Sequence, residues 1–363
     1  MSQYQPFHLV HPLAFLPAPS NLTNFWRFGS LLGLTLSIQL VRGFLLATIY
    51  SSSVRDAFES VMRLLRDSPY GWVLRVVHAN GASMLFFLLF LHVGRGVYFR
   101  SYNFLHVWGR GVLLLLGFMA TAFLGYVLPW GQMSFWGATV ITSLLSTVPY
   151  LGDQLVSLLW GGFSVGAPTL SRFYAFHFIL PLGLVVVVIS HIVLLHSAGS
   201  SNPLGISLDS DKAPFTPYFR IKDIVGVAFL LRVYSFVLFF HPWRLGDPDN
   251  FILANPLVTP EHIIPEWYFL FAYCVLRAIP NKLGGVLGLV FTLLILLALP
   301  WVGKRAPSCS KSRVSKGLYW RWVRSWLGLS VLGRKAVCDP FIVLSQIYSC
   351  SYFVFLISFA STQ

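Results

Sequence analysis

The sequence predicts an all-α polytopic membrane protein with eight transmembrane helices, and three observations carry that prediction. Hydrophobic residues make up 56% of the 363-residue chain and charged residues only 10%, whereas a soluble domain carries roughly 25% charged residues. Apolar stretches recur near residues 28–49, 74–98, 111–130, 173–195, 224–241, 284–302, 317–333 and 341–360, each close to the ~20 residues that cross a bilayer core. No strand-type alternation runs through them. Backbone at membrane depth must be hydrogen-bonded within itself, so the pattern specifies a helix bundle and excludes a barrel.

Taken in order, the N-terminal MSQYQPFHLVHPLAFLPAPS has no basic residue before Arg27 and reads as neither a signal nor a transit peptide. The first span carries Gly29 and Gly43, and the third carries Gly111 and Gly125. The second contains HANGASMLFFLLFLH at 78–92 and the fourth HFILPLGLVVVVISH at 177–191. Between spans three and four, residues 131–169 are too broken by Gly, Pro and Asp to cross; short helices at the surface are expected there. The loop SAGSSNPLGISLDSDKAPFTPYF at 197–219 divides the chain into an N-terminal four-helix bundle, 1–205, and a C-terminal four-helix half, 206–363. A second long loop, GDPDNFILANPLVTPEHIIPEW, fills 246–267. The seventh span is the weakest, because Arg321 and Arg324 sit in its first turns.

The formal charge is +14. Its Lys and Arg fall mostly in loops and at span ends, so membrane-surface anchoring is the reading and nucleic acid is not an expected partner. The densest basic cluster, 304–324, places both termini on the negative side of the membrane, since eight spans is an even number; the basic bias is modest. The four cysteines, Cys274, Cys309, Cys338 and Cys350, form no CxxC pair and suggest neither a thiolate metal site nor a disulfide framework.

The histidines carry the functional argument. Fourteen residues on an α-helix is 40° short of four turns and a rise of ~21 Å. His78 and His92 therefore share one helix face at two depths, as do His177 and His191. Spans two and four run in the same direction, so His78 faces His177 and His92 faces His191. A single histidine in a span is usually a packing residue or a proton relay; matched pairs on parallel spans favour a site. Zinc would want four close ligands. Bis-imidazole ligation of haem fits best, one iron per facing pair, which makes the first four helices a dihaem bundle. The glycine pairs, also 14 apart, let helix backbone approach a flat ring, although small-residue packing alone is an alternative. Arg75, three before His78, and Arg95, three after His92, are candidate propionate partners.

The quoted stretches, with YGWVLRVVHANGAS at 70–83, GYVLPWGQMSFWGATVIT at 125–142, SRFYAFHFILP at 171–181, GDPDNF at 246–251, PEWYFLFAY at 265–273 and IPNKLGG at 279–285, resemble the mitochondrial-type cytochrome b family, the quinol-oxidising core subunit of the cytochrome bc1 complex (respiratory complex III). The resemblance runs from about residue 12 to about 302 and is weak beyond, where LGRKAVCDPF at 332–341 is an approximate counterpart of the last inter-helix loop. The related b6 subunits resemble it less, being shorter and differing in one histidine spacing.

The resemblance implies two b haems, bL on His78 and His177 near the positive side and bH on His92 and His191 near the negative side. It implies a quinol oxidation site beside bL, walled by Pro265, Glu266, Trp267 and Tyr268 and by the segment 131–141. There Glu266 would accept a proton, Tyr126 and Tyr273 would line the site, and Gly137 would let the quinone ring approach. At the reduction site beside bH, His196 and Asp223 would hold and protonate the quinone carbonyls; for Asp223 alone, helix N-capping is the plain reading. Ubiquinol and ubiquinone are the implied substrates. The implied partners are the Rieske iron–sulfur protein, cytochrome c1 and other complex III subunits, in a dimeric complex of the mitochondrial inner membrane with both termini on the matrix side. The implied activity is a quinol:cytochrome c oxidoreductase: one electron goes to the iron–sulfur partner, the other from bL to bH, and protons are translocated. Arg27, Arg42 and Arg232 depart from the family pattern; Arg42 could reach the bL propionates or the interface. A haem-free transporter with proton-relay histidines and a transmembrane ferric reductase are the competing readings, the latter disfavoured by the PEWY loop and the second half.

Overall fold

The computed structural model describes residues 16–206, 210–303 and 312–362. The N-terminal residues 1–15 and much of the basic cluster, 304–311 with Cys309, lie outside them. Among the described residues the fold is all-α. Twelve α-helices are joined by turns, and one short antiparallel pair of strands, β1 (Pro17–Pro19) and β2 (Lys212–Pro214), ties the start of the first helix to the start of the eighth.

The helices are α1 (Phe28–Ala47), α2 (Ala57–Asp67), α3 (Gly71–Tyr98), α4 (Leu105–Val127), α5 (Gln132–Ser143), α6 (Gly152–Trp160), α7 (Ala167–Ala198), α8 (Phe215–Phe240), α9 (Leu270–Ala278), α10 (Lys282–Val302), α11 (Arg313–Leu332) and α12 (Phe341–Ser361). Seven of them are long and apolar enough to cross a membrane: α1, with the turn before it, α3, α4, α7, α8, α10 and α12. The expected seventh span is present as α11, with 20 residues, but it stands apart in composition. Arg313, Lys316, Arg321 and Arg324 occupy its first 12 residues. It lies antiparallel along α12: Ser315 meets Thr362, 2.8 Å between hydroxyl oxygens, Tyr319 meets Phe359 and Trp322 meets Tyr352.

The first four long helices pair as α1 on α3 and α4 on α7. Gln39 of α1 donates to the His78 carbonyl at 2.9 Å. The 32-residue α7 contains Pro181, which has no N–H to give the carbonyl four residues back; that carbonyl belongs to His177. A second internal proline is put to use. Pro300 in α10 leaves the Leu296 carbonyl without its helical donor, and Trp108 of α4 donates its indole N–H to that carbonyl at 2.6 Å. Trp108 in turn covers Gly96 of α3, where a Cβ would come within 2.9 Å of the indole. Trp108 and the interrupted helix α10 thus form one of several contacts between the segments before and after the loop 197–219.

Helix α9 is wrapped by α10, α11 and α12. Its Arg277 donates to the Leu332 and Gly333 carbonyls at 3.0 and 2.9 Å, supplying donors that the C-terminus of α11 lacks. The segment 131–169 does hold two short helices, but α5 is not a surface helix. Met133, Ser134 and Ala138 are buried: Asn250 of the loop 246–258 bonds Ser134, and Ala138 packs in a cluster with Phe135, Val127, Trp130, Leu170 and Phe173. Cys274, Cys338 and Cys350 are unpaired.

Candidate functional site

The four histidines stand as two facing pairs. The His78 and His177 rings are 6.1 Å apart between centroids and nearly perpendicular, at 87°; the His92 and His191 rings are 6.4 Å apart at 61°. A metal–imidazole nitrogen bond is about 2.0 Å, and the ring centroid lies roughly 1.1 Å behind the nitrogen. Two imidazoles on one metal therefore put their centroids roughly 6 Å apart, which is the separation found at both levels. No cluster of three or more His, Cys, Asp or Glu side chains suited to a metal occurs among the described residues. Two donors per level suit a planar group that brings its own equatorial ligands rather than a bare ion.

The glycines explain how the rings fit. Each of the four faces one histidine ring: a Cβ on Gly29 would sit 3.6 Å from Cε1 of His92, on Gly43 3.1 Å from Cε1 of His78, and on Gly111 3.4 Å from Cε1 of His191. On Gly125 it would overlap the His177 ring. The matched 14-residue spacing in the first and third spans is thus the same register as in the second and fourth. One ring, that of His177, is also oriented from behind by a carbonyl, and a guanidinium lies behind that of His92. Nδ1 of His177 lies 2.8 Å from the Thr121 carbonyl, and Nδ1 of His92 lies 3.3 Å from Nη2 of Arg95, whose guanidinium stacks over Trp26.

Around the first pair the structure opens a cavity of about 490 Å³, within the roughly 300–1,000 Å³ of cofactor and ligand sites. It joins His78 and His177 to Arg75, Tyr126, Glu266 and Tyr268 in one space. Glu266 stands just before the turn Trp267–Phe269. Burial, with the nearby Asp247 carboxylate, raises its carboxyl to about 7, and Arg75 and Arg334 pull in the opposite direction. The wall behind it is rigid. Tyr268 stacks on Phe86, 4.1 Å between centroids at 8°, and Trp267 donates to the Ser83 hydroxyl at 3.1 Å. Gly137 lies beside Tyr126, leaving room for an ordinary contact at 3.9 Å from a Cβ.

The cover of this cavity is a polar clamp between α5 and the loop 246–258. Asn250 accepts at Oδ1 from both the Ser134 backbone N–H and the Ser134 hydroxyl, each at 2.9 Å. Gln132 accepts from Asn255 N–H at 2.8 Å and donates to the Val258 carbonyl at 3.0 Å. Gly131 bridges to Leu253 with no space for a side chain against Asn250.

Not every expected residue joins this cavity. Tyr273 does not line it; its hydroxyl donates to the Ile263 carbonyl at 3.4 Å and its ring lies under Arg277. Pro265 and Trp267 support the wall rather than line it. On the other side of the bundle, Asp223 sits with Ser30 and Arg27, and Arg27 packs against Gly226. His196 is exposed in the last turn of α7. Arg42 is half-buried near Tyr234, whose hydroxyl donates to the Val77 carbonyl. Sequence reasoning assigned no role to Gln39 or Asn250 and named Ser134 only as part of the segment 131–141, although Asn250 lies inside the GDPDNF stretch already singled out.

Comparison with known proteins adds to this geometry. Residues 13–199 match the family described as cytochrome b/b6/petB, and residues 253–353 match the one described as cytochrome b (C-terminal)/b6/petD. The second match carries the similarity well past residue 302, where the motifs alone had weakened. A cytochrome b from Paraspadella gotoi is 53% identical over 343 residues, 94% of this chain and 91% of that one. A chain from a solved hyperthermophilic respiratory Complex III superposes with a TM-score of 0.92 at 33% identity, covering 98% of this chain and 96% of that chain.

Proposed function

From the premise that the chain belongs to the cytochrome b family, we propose that it is the quinol-oxidising, quinone-reducing subunit of a quinol:cytochrome c oxidoreductase, with two haem-binding levels. The family assignment itself makes it a haem-b-binding, multi-pass membrane subunit of a bc1-type respiratory complex with a role in electron transfer. In the reading proposed, His78 and His177 hold bL, His92 and His191 hold bH, and residues 1–205 form the bundle that carries both. Residues 206–363 supply the loop and turn that close the oxidation site. Haem iron between two imidazoles supplies a one-electron couple whose potential the protein tunes.

The chain's own side chains do the remaining work. Gly29, Gly43, Gly111 and Gly125 keep the ring edges clear. Arg75 and Arg95, and Arg42 beside Gly43, offer cationic partners for propionates. Glu266, with its carboxyl near neutrality, takes a proton from quinol inside the cavity it shares with His78 and His177. Tyr126, Gly137 and Tyr268 bound the space in which the ring sits, and Tyr273 and Arg277 hold the turn from behind. On the opposite side Asp223, with Ser30 and Arg27, receives the quinone carbonyls and His196 serves as an exposed proton donor. Ubiquinone is the proposed substrate. The Rieske iron–sulfur protein and cytochrome c1 are the proposed partners in a dimer of the mitochondrial inner membrane, with both termini on the matrix side.

The single observation that carries this reading is the pair of ring separations, 6.1 and 6.4 Å, at two depths of one bundle. The test is a redox titration of the reduced-minus-oxidised optical spectrum of the chain purified with its native partners. Two b-type steps are expected, and His177→Ala and His191→Ala should each remove a different one. Retention of both steps in either variant would overturn the assignment.

A further inference from the structure

Arg232 lies in the middle of α8, exposed on its outer surface among Phe229, Leu231, Val233 and Phe236, which are exposed as well. No hydrogen bond or ion pair joins it to any described residue. Its depth follows from its neighbours. Leu230 packs with Leu88 and Leu31, and the Tyr234 hydroxyl reaches the Val77 carbonyl. Arg232 therefore falls between the levels of His78 and His92. Along the helix it is about 15 Å from Lys222 and about 12 Å from the helix end at Phe240, beyond which Trp243 is exposed at the interface.

Snorkelling does not relieve this position. A fully extended arginine arm spans roughly 7 Å with bonds of ~1.5 Å, short of both ends. Its direction is also wrong: side chains on a helix lean toward the N-terminus, which points this one away from the nearer surface. A guanidinium left in hydrocarbon is costly, and charges within spans are as a rule paired. A second copy of the chain has no suitable acid. Of its 12 acidic residues only Asp223 lies in one of the seven apolar spans, and it is at the far end of α8.

We infer that the outer face of α8 around Arg232 is the docking surface for a transmembrane helix of a different polypeptide, one that carries an Asp or Glu near the middle of its span. The exposed aromatic and aliphatic residues above and below Arg232 would pack the two helices. The carboxylate would form a charge-assisted pair with the guanidinium in a low-dielectric setting.

The experiment uses the complex isolated from membranes in mild detergent, with a photo-reactive residue placed at Phe229 or at Phe236. Both positions are expected to yield an adduct with one membrane-spanning polypeptide whose sequence has an acidic residue mid-span. Arg232→Leu should lower that adduct roughly tenfold, Arg232→Lys should largely keep it, and the b-type absorbance should be unchanged in both. Arg232→Glu combined with Arg at the partner's acidic position should restore it. The inference is overturned if the wild-type adducts are only with lipid, if they are with a second copy of this chain, if the captured span has no central acid, or if Arg232→Leu leaves the adduct intact. The first three outcomes need no variant of Arg232 to assemble.

Discussion

Gly125 and Gly29 occupy equivalent sites at the two levels but have different room. A methyl group at Gly125 would overlap the His177 ring, whereas at Gly29 it would make an ordinary 3.6 Å contact with His92. Gly125→Ala is therefore expected to displace the His177 ring and remove the corresponding b-type signal from the difference spectrum, while Gly29→Ala retains both. Equal loss from both variants would show that the glycines serve helix packing and not the ring sites. Glu266 gives the second residue-scale prediction. Its carboxyl titrates at about 7 in the folded protein against 4.5 for an unperturbed group. A raised carboxyl stabilises the fold below its unfolded pKa and loses that contribution as the pH rises through 7. The Glu266→Gln variant should thus gain stability relative to wild type between pH 5 and 8, read as the thermal midpoint of the complex. Proton acceptance needs the ionised form, so quinol oxidation by the wild type should rise with pH through about 7. In Glu266→Gln it should be flat across that range and about 10²-fold slower.

At the scale of the element, α5 and the loop that covers it depend on few bonds. Asn250→Ala would strip the buried Ser134 N–H of its acceptor, while the Ser134 hydroxyl keeps the Tyr126 carbonyl at 2.7 Å. One buried donor left unpaired costs about 1–3 kcal/mol, so the variant should lose that much stability, measured by denaturant unfolding of the complex, and oxidise quinol more slowly. An unchanged midpoint would mean that water replaces Asn250. This clamp also shows where sequence reading stops. The long helices were legible because apolar runs need only length, and the histidine pairs because 14 residues fall near four whole turns. Asn250 and Ser134 are 116 positions apart, joined by a side-chain oxygen and a backbone N–H that no periodicity records. The apolar residues of α5 read as those of a surface helix because their cover comes from distant segments: Phe135 and Ala138 pack with Ala57, Val165, Leu170 and Phe173. Tyr273 and His196 rest on resemblance alone: the Tyr273 hydroxyl bonds the Ile263 carbonyl and His196 is exposed in the last turn of α7. The basic first turns of α11 made the span look weak, yet the helix forms its full length because Tyr319 and Trp322 bury against α12.

At the scale of the molecule, Trp108 and Leu296 form one of the contacts between the segments before and after the loop 197–219. Trp108→Phe removes the donor while Pro300 still denies the carbonyl a helical one. The expected loss is about 1–3 kcal/mol, appearing as faster hydrogen exchange in α10 with the optical spectrum unaltered. The double variant Trp108→Phe with Pro300→Ala should recover part of it, because an alanine N–H can reach the Leu296 carbonyl. If the two substitutions were simply additive, the proline and the tryptophan would be unrelated.

The cavity that runs from His78 and His177 to Glu266 has a practical consequence. In the function proposed, light absorption by the centre that the two imidazoles would hold depends on what lies against it, and the far end of the same space is where the quinone would rest. Arrival at Glu266 should therefore be visible as colour. Adding a quinone analogue to the resting complex, with no turnover and no electron donor, should shift the absorption band of one level and leave the other still, so that an affinity could be read with a lamp.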